Sequence, residues 1–418
     1  MNVINRALAL VGLDNPAPDW PPERLSLALQ GGGSFGAFTW GVLDRLLEEP
    51  GVAFDAISGS SAGAVNAVLL ASGLIEGGRE GAKARLARFW KRMSDAAAFV
   101  PAASLAASPL GAGLGFVARA LSPYQFNPFN LNPLREALAA EVDFDLLRAR
   151  SPMKLLIGAT RVRDGKLRIF TNEELTVDMV LASACLPLIH HAIEIAGEPY
   201  WDGGYAANPP LIPLVQASQA ANLLIVQVTP TSSERLPKTP REIAKRLEQI
   251  QFNATLNSEL EALKYGMLVG ATPKLRRLRI GRISAQDEFA GLADESAGNL
   301  GWAFLERLHK SGRRAVEVWL DEAAPAGARR AEAPGAGATR EVFAAKPPSR
   351  VIASKAKQSR RSRGRRPCAA PIRRGAPSTS WKPLFSEVLR LSMVFDRRRR
   401  RAKRAPLTAS KLRKFMLP

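Results

Sequence analysis

A predicted strand, a turn of Gly59-Ser60-Ser61-Ala62-Gly63 and a predicted helix follow one another, and this arrangement constrains the fold most. The strand is the mostly apolar run Val52–Ile57, and the helix is the small-residue segment Ala64–Leu74. A G-x-S-x-G sequence in this context is typical of a nucleophile elbow, where a sharp turn lifts the serine hydroxyl clear of the backbone. We therefore predict that Ser61 is a nucleophile and that the two flanking glycines leave room for the turn.

A glycine-rich loop precedes this turn. Gly31-Gly32-Gly33-Ser34-Phe35-Gly36 follows the predicted strand Leu25–Gln30 and opens the predicted helix Ala37–Glu49. One interpretation is a dinucleotide loop, because G-x-G-x-x-G fits and Asp55 stands 22 residues beyond Gly33. The preferred interpretation is an oxyanion hole built from successive backbone N–H groups, since the second strand ends directly in the serine turn and leaves no place for a ribose. A purely structural glycine turn is the third interpretation.

The order of predicted elements indicates an α/β protein. Residues 25–74 alternate strand and helix twice, which is how a parallel sheet with crossover helices begins. The clearest buried strand is Ala221–Val228 (ANLLIVQV), and long helices are predicted over residues 239–268 and 297–320. Further strands are predicted at Met153–Ala159, Leu167–Thr171 and Lys274–Ile280, and further helices at 79–93 and Asp178–Ala184.

A third motif is Trp201-Asp202-Gly203-Gly204, which by itself is a common turn. The order G-G-G-x-x-G, G-x-S-x-G and D-G-G resembles the patatin-like phospholipases over about residues 23–322, and Ala182–Pro187 resembles that family's approach to its D-G-[AG] motif. The resemblance implies a three-layer α/β/α fold with a mostly parallel central sheet. It also implies a Ser–Asp dyad of Ser61 as nucleophile and Asp202 as base. The oxyanion hole would be the backbone amides of Gly31, Gly32, Gly33 and Ser34.

Two features bear on that assignment. Most members of the family carry a basic residue where Phe35 stands, so any help from a positive charge at that position is missing here.

The alternative of a Ser–His–Asp triad would have to use His190, His191 or His309, the only histidines of the chain. His309 lies in a charged helical segment, where a solvated position is expected. His190 and His191 are expected to pack or to form hydrogen bonds near the site.

The predicted reaction is hydrolysis of a lipid carboxylic ester through an acyl-enzyme. A general carboxylesterase, thioesterase or polyester depolymerase with the same dyad is the alternative within enzymes. An inactive scaffold whose tail binds membrane or nucleic acid is the alternative outside them. The chain has two cysteines, Cys185 and Cys368, and no metal-ligand spacing, so we expect no metal or other cofactor and no disulfide framework.

The positive charge of the chain is concentrated at its end. Residues 323–418 carry 26 Lys and Arg against 4 Asp and Glu, whereas residues 1–322 carry 33 against 34. We predict an N-terminal extension at 1–22, the acyl hydrolase domain at 23–322, and a low-complexity, disordered basic tail at 323–418. Within the tail, the apolar, helix-like stretch Trp381–Phe395 precedes a polybasic run at 397–404, and the two together can contact an anionic membrane peripherally. Nucleic-acid binding by the same arginines is the rival of this membrane contact. A disordered, accidental extension without a function is the preferred interpretation of the tail.

Two apolar segments are expected to be neither signal peptide nor membrane span. Residues 1–13 have one early arginine and no small-residue cleavage site. Residues 96–118 carry no charge, but they are rich in Ala, Gly, Ser and Pro, so we expect a lipid-facing cap or a loose connector. These features predict a cytoplasmic protein, peripheral to the membrane at most, with a lipid or acyl-ester substrate and no obligate protein partner.

Overall fold

Eight strands form a single sheet in the computed structural model, which describes residues 21–98, 122–233, 236–286 and 297–323. The strands are β1 (Arg24–Leu29), β2 (Ala53–Gly59), β3 (Lys154–Arg161), β4 (Leu167–Thr171), β5 (Ile193–Ile195), β6 (Glu198–Asp202), β7 (Asn222–Gln227) and β8 (Arg279–Ser284). Their order is β5-β6-β3-β2-β1-β7-β8, with β4 also paired to β3. The pairs among β3, β2, β1, β7 and β8 are parallel, so the sheet is mostly parallel.

Helices connect most of these strands. In chain order they are α1 (Gly36–Leu46), α2 (Ala62–Ala98), α3 (Pro123–Phe126), α4 (Pro133–Glu141), α5 (Phe144–Arg150), α6 (Val177–Ser183), α7 (Leu211–Ala217), α8 (Pro240–Leu268), α9 (Pro273–Arg277) and α10 (Trp302–Ala323). Helix α2 is broken by non-helical backbone at Gly77 and Gly78. The two helices predicted there are thus confirmed as two pieces on either side of the break.

Two hydrophobic clusters cover the two faces of the sheet. Leu25, Leu27 and Leu29 of β1 share one cluster with apolar residues of α1, α2 and α10. Ala28 of the same strand shares the other cluster with apolar residues of α7 and α8. Side chains alternate between the two faces of a strand. A central parallel strand that is apolar on both faces therefore needs helices on both sides of the sheet. The predicted three-layer α/β/α arrangement is confirmed.

One local prediction is wrong, and one pair of strands was not predicted. The strand predicted at Lys274–Ile280 is the short helix α9 followed by β8, which starts only at Arg279. Thr272 begins α9 by accepting the Leu275 N–H, and the chain therefore turns once before it enters the sheet. The strands that were not predicted are β5 and β6, which form an antiparallel hairpin ending at Asp202.

Several predictions fall outside the described residues: those for the first 20 residues, for most of the uncharged run at 96–118, and for the tail beyond Ala323. Within the described part of the chain, no helix is both long enough and apolar enough to cross a bilayer.

Candidate active site

Ser61 stands on the turn between β2 and α2 in a strained backbone conformation. Its φ is 55°, in the left-handed region that residues with a side chain seldom adopt. The Ser61 N–H donates to the carbonyl oxygen and to Oγ of Ser183, each at 3.0 Å. The Ser61 carbonyl accepts from the Val65 N–H at 3.1 Å in the first turn of α2. Strain held in place by such contacts is typical of functional sites.

Close packing explains why glycine stands at two positions of the motifs. A Cβ on Gly63 would lie 2.0 Å from the Leu29 carbonyl oxygen, so no side chain fits between α2 and β1. A Cβ on Gly31 would lie 2.6 Å from Cβ of Ser61. The glycine-rich loop and the serine turn are therefore in direct contact.

The two adjacent serines have different environments. Ser60 is fully buried, and its hydroxyl donates to the Ala207 carbonyl at 2.7 Å. Ser61 is 8% exposed. Its hydroxyl makes no regular hydrogen bond with any described residue, so Ser61, and not Ser60, has a hydroxyl available for chemistry.

Asp202 ends β6 at the edge of the sheet where β1 and β2 also end. Its main chain is fixed by the Asp202 N–H, which donates to the Cys185 carbonyl at 2.8 Å, and by the Thr160 hydroxyl, which donates to the Asp202 carbonyl at 2.7 Å. The carboxyl is fully buried. Oδ1 accepts the Gly204 N–H at 2.7 Å, whereas Oδ2 has no hydrogen-bond partner among the described residues.

Burial raises the pKa of Asp202 to about 7. The Gly204 N–H and the Ser61 hydroxyl oppose this rise, and the nearby carboxylate of Glu248 on α8 adds to it. Ser61 is thus close enough to lower the pKa of Asp202, although no hydrogen bond of regular geometry joins its hydroxyl to Oδ2. Loose geometry of this kind is common between catalytic groups before substrate binds. A carboxyl that titrates near neutrality is suited to act as a general base.

Two of the four predicted oxyanion-hole residues have their amide hydrogens engaged elsewhere. The Gly31 N–H donates to Oδ1 of Asn208 at 2.7 Å, and the Ser34 N–H donates to the Ala297 carbonyl at 2.8 Å. The N–H groups of Gly32 and Gly33 have no partner among the described residues. Among the described residues, nothing therefore competes with an oxygen anion for these two amides.

Three residues that the sequence interpretation did not single out also contribute to the site. Asn208 holds Gly31 at two points, since its Nδ2 also donates to the Gly31 carbonyl at 3.3 Å. Ser183 fixes the main chain of Ser61. Ala62 begins α2 with an N–H that has no partner among the described residues. Of these three residues, only Ala62 could have been predicted from the sequence, because the residue after an elbow serine commonly supplies an oxyanion-hole amide.

The geometry does not support a dinucleotide site. Asp55 would have to approach the glycine-rich loop to bind a ribose. Its Oδ2 instead accepts the Ser218 hydroxyl at 2.8 Å and the Gln219 N–H at 2.7 Å, near the start of β2. Asp55 therefore stabilises the turn that leads into β7, and the acidic group that the fingerprint needs is used elsewhere.

His309 and His191 have partners other than the dyad, and Nδ1 of His190 is buried without a hydrogen-bond partner among the described residues. His309 is not the solvated side chain that we expected. Its ring lies tilted against Trp40 with the ring centroids 3.9 Å apart, and its Nε2 lies 3.1 Å from Oδ2 of Asp44. His191 Nε2 lies 3.1 Å from the Pro123 carbonyl, and burial lowers the pKa of His190. Within the described residues, no three His, Cys, Asp or Glu side chains are grouped so that they could hold a metal ion.

Phe35 occupies an apolar position. It is 8% exposed, and its ring meets the ring of Phe304 on α10 edge to face at a centroid distance of 6.1 Å. A side chain at this position packs between α1 and α10. The missing basic residue is thus replaced by core packing.

A family model described as Patatin-like phospholipase matches residues 27–215, a range that contains the glycine-rich loop, Ser61 and Asp202. No curated protein matches the chain. VipD from Legionella pneumophila is 17% identical with a TM-score of 0.38, covering 72% of this chain and 67% of its own. ExoU, in complex with SpcU from the type III secretion system of Pseudomonas aeruginosa, is 19% identical with a TM-score of 0.28, covering 58% of this chain. This chain spans about two thirds of VipD and about half of ExoU.

Proposed function

We propose that this chain, whose residues 27–215 belong to the patatin-like phospholipase family, is a serine lipid acyl hydrolase that uses Ser61 and Asp202 as a dyad. The hydrolase domain would span residues 23–322. The observation that carries the proposal is a strained serine, whose hydroxyl has no regular hydrogen bond with the described residues, close to a fully buried carboxyl of pKa about 7.

The first step is attack of Ser61 Oγ on the ester carbonyl carbon. Oδ2 of Asp202, which has no other partner among the described residues, accepts the hydroxyl proton. No histidine is needed between the two groups, because the carboxyl already titrates near neutral pH. When the tetrahedral intermediate collapses, the same proton passes to the departing alcohol or lysolipid oxygen, and the acyl group stays on Ser61.

The negative charge of the tetrahedral oxygen is stabilised by backbone amides. The N–H groups of Gly32 and Gly33 are unengaged among the described residues, and the N–H of Ala62 adds a third donor at the N-terminus of α2. Donors fixed in advance in a recess that excludes water contribute on the order of 3 kcal/mol each. Gly31 and Ser34 hold the loop in place through Asn208 and Ala297.

Deacylation repeats this chemistry with water. Asp202 takes a proton from the water molecule, the hydroxide attacks the acyl carbonyl, and Ser61 leaves with the proton that Asp202 returns. Free fatty acid is the product, and no cofactor enters the balance. Product analysis on a mixed lipid panel tests the proposed substrate class. We expect free fatty acid from phospholipid or neutral acylglycerol, and none from the Ser61→Ala control.

The rate should depend on pH through Asp202. Because the carboxylate form is the base, kcat/KM on a soluble ester should rise about tenfold per pH unit at low pH and level off above a midpoint near 7. A pH–rate profile from about pH 5 to about pH 9 measures this midpoint. A flat profile, or one that falls across neutrality, would contradict a carboxyl base in this environment.

Glu248 offers a control for that assignment. Its charge raises the pKa of Asp202, so Glu248→Gln should move the midpoint of the profile to lower pH and leave its shape unchanged. A midpoint that does not move, or that moves upward, would show that another group controls the profile.

Asn208 should affect turnover more than substrate binding. Asn208→Ala removes both hydrogen bonds to Gly31, and the loop that carries Gly32 and Gly33 loses its support. We expect kcat to fall roughly 10- to 100-fold with little change in KM, since the oxyanion exists only in the transition state and intermediate. Steady-state kinetics on a soluble ester provide both constants.

Asn172 provides a matched control. It makes the same two-point contact away from the site: its Oδ1 accepts the Leu155 N–H at 2.7 Å, and its Nδ2 donates to the Met153 carbonyl at 2.8 Å. Asn172→Ala should destabilise the fold comparably and leave kcat near the wild-type value. Equal losses of kcat in the two variants would mean that Asn208 acts only through stability.

A further inference from the structure

An unusual number of large apolar side chains are exposed in two short segments beside the site. They are Tyr124, Phe126, Phe129, Leu131, Leu188 and Ile189, between 42% and 84% exposed, and we call them the apolar rim. Contiguous exposed apolar surface on a soluble domain usually marks a binding surface for protein, ligand or membrane.

The two segments of the rim are joined into one surface. The ring of Tyr124 stacks on His191 with centroids 4.2 Å apart, and its hydroxyl accepts the Ala192 N–H at 3.1 Å. The Pro123 carbonyl lies 3.1 Å from Nε2 of His191. Helix α3 is therefore attached to the 186–192 turn, which joins the two segments that carry the rim.

The loop that follows α3 presents apolar side chains, and several of its polar groups are paired within the loop. Oδ1 of Asn127 accepts the Leu131 N–H, and Nδ2 of Asn127 donates to the Leu131 carbonyl, both at 2.9 Å. The Asn130 N–H donates to the Asn127 carbonyl at 3.0 Å. Phe129 is left 84% exposed. Backbone groups paired within a loop are what a loop needs in order to enter an apolar phase without losing hydrogen bonds.

The rim is directly connected to the proposed dyad. Ser183 accepts the hydrogen bond of the Ser61 N–H, and the Cys185 carbonyl accepts that of the Asp202 N–H. Leu188 and Ile189 follow within six residues of these two contacts. The dyad itself is recessed, with Ser61 only 8% exposed, and residues 183–189 link it to the rim within one short segment.

The composition of the rim favours lipid over a charged partner. Residues 122–134 and 184–193 contain no Lys, Arg, Asp or Glu. Tyr prefers the interfacial region of a bilayer, where its ring is buried and its hydroxyl stays hydrated. Phe and Leu supply the apolar face of segments that lie in that region. A charged side chain would oppose entry into that region.

We propose that the apolar rim inserts into the interfacial region of a lipid surface and thereby brings the acyl esters of that surface to Ser61. This inference rests on the proposed function for the identity of the substrate. Binding to an uncharged bilayer follows from it, because the rim contributes apolar and aromatic area but no positive charge.

The test compares two double variants of the full chain. Phe129→Ser with Leu188→Ser removes exposed apolar area from the rim. Tyr265→Ser with Leu268→Ser removes similar area, 68% and 71% exposed, from the far end of α8. Co-sedimentation is measured in the Ser61→Ala background, with phosphatidylcholine vesicles at high salt so that the basic tail contributes little. Turnover is measured in the Ser61 background on vesicle phospholipid and on a monomeric soluble ester.

We expect the rim variant to partition onto the vesicles at least about tenfold more weakly than its parent. The ratio of its vesicle turnover to its soluble-ester turnover should fall by a similar factor, and the Tyr265/Leu268 variant should match the parent in both. The proposal is overturned if the parent does not bind phosphatidylcholine, if both double variants lose binding equally, or if the rim variant changes only the oligomeric state. Soluble-ester hydrolysis by Ser61→Ala would instead refute the dyad and leave the partitioning result standing.

Discussion

Replacing Ser61 by alanine is expected to abolish ester hydrolysis, with kcat reduced on the order of 10⁴-fold or more. The expectation follows because, in the proposed mechanism, the acyl group is transferred to the side-chain oxygen of Ser61, and alanine has no atom that could take its place. The Gly32 and Gly33 amides of the proposed oxyanion hole remain in the variant, so a small residual rate above that of water is compatible with the mechanism. Hydrolysis of a soluble ester by purified protein measures the loss.

Ser60 provides the contrast for this prediction. Its hydroxyl donates to the Ala207 carbonyl in a fully buried position, so Ser60→Ala should leave that carbonyl unpaired and lower the free energy of unfolding by roughly 1–3 kcal/mol. Turnover should fall far less than in Ser61→Ala. Near-wild-type turnover in Ser61→Ala, or an equal loss in Ser60→Ala, would contradict the assignment of the nucleophile.

Replacing Asp202 by asparagine is expected to remove nearly all activity and to stabilise the fold at alkaline pH. The amide cannot accept the Ser61 proton, and loss of a catalytic base at a serine typically lowers kcat by about 10³- to 10⁴-fold. Oδ1 of the new side chain can still accept the Gly204 N–H, so the geometry of the turn is kept. Kinetics on a soluble ester and thermal unfolding of the same protein preparation test both parts.

The stability effect has a definite sign. Burial places the pKa of Asp202 near 7 in the folded chain, above the value of about 3.9 expected when the chain is unfolded. The folded protein therefore binds a proton more tightly, and wild-type stability falls as pH rises between those two values. Above pH 7 the neutral asparagine avoids this cost and should gain roughly 1–3 kcal/mol, after allowing for its unpaired nitrogen.

The stability that Asp202→Asn gains over wild type should be smaller at about pH 5, where Asp202 is protonated in the folded protein. A lower melting temperature for Asp202→Asn than for wild type at about pH 8 would contradict the account of an unpaired, buried carboxylate. Wild-type kcat in the variant would refute the dyad itself.

Local patterns predicted the front half of the fold well. The apolar runs at β1, β2 and β7 are buried on both faces, so each predicts a central parallel strand without help from the rest of the chain. The serine turn was predicted by the strand before it and the helix after it. Gly77 and Gly78 interrupt the periodicity of α2 at the place where its backbone leaves the helical conformation.

The β5–β6 hairpin, which carries Asp202, was missed for a physical reason. Its two-residue turn is Ala196-Gly197, with φ of 52° and 78°. Turns with two left-handed residues are usually marked by Asn-Gly or Asp-Gly, and alanine gives no such signal. Only the D-G-G motif and the resemblance to a family marked the position of the aspartate.

Which backbone amides are free was beyond prediction from sequence. Gly31 and Gly32 are adjacent glycines. The Gly31 N–H donates to Asn208, 177 residues away in the sequence, whereas the Gly32 N–H has no partner among the described residues. The pKa of Asp202 likewise depends on complete burial and on Glu248, which arrives on a distant helix. The availability of an amide and the pKa of a carboxyl arise from tertiary contacts, and the spacing of sequence motifs does not reveal those contacts.

Covalent capture of the nucleophile tests the central claim most directly. A fluorophosphonate mimics the ester carbonyl and stays attached to an activated serine, so peptide mass spectrometry locates the reacting residue. We predict a single modification on Ser61 in the wild-type protein, none in Ser61→Ala, and labelling slowed by orders of magnitude in Asp202→Asn. Modification of another residue, or labelling of Asp202→Asn at the wild-type rate, would contradict the Ser61–Asp202 dyad.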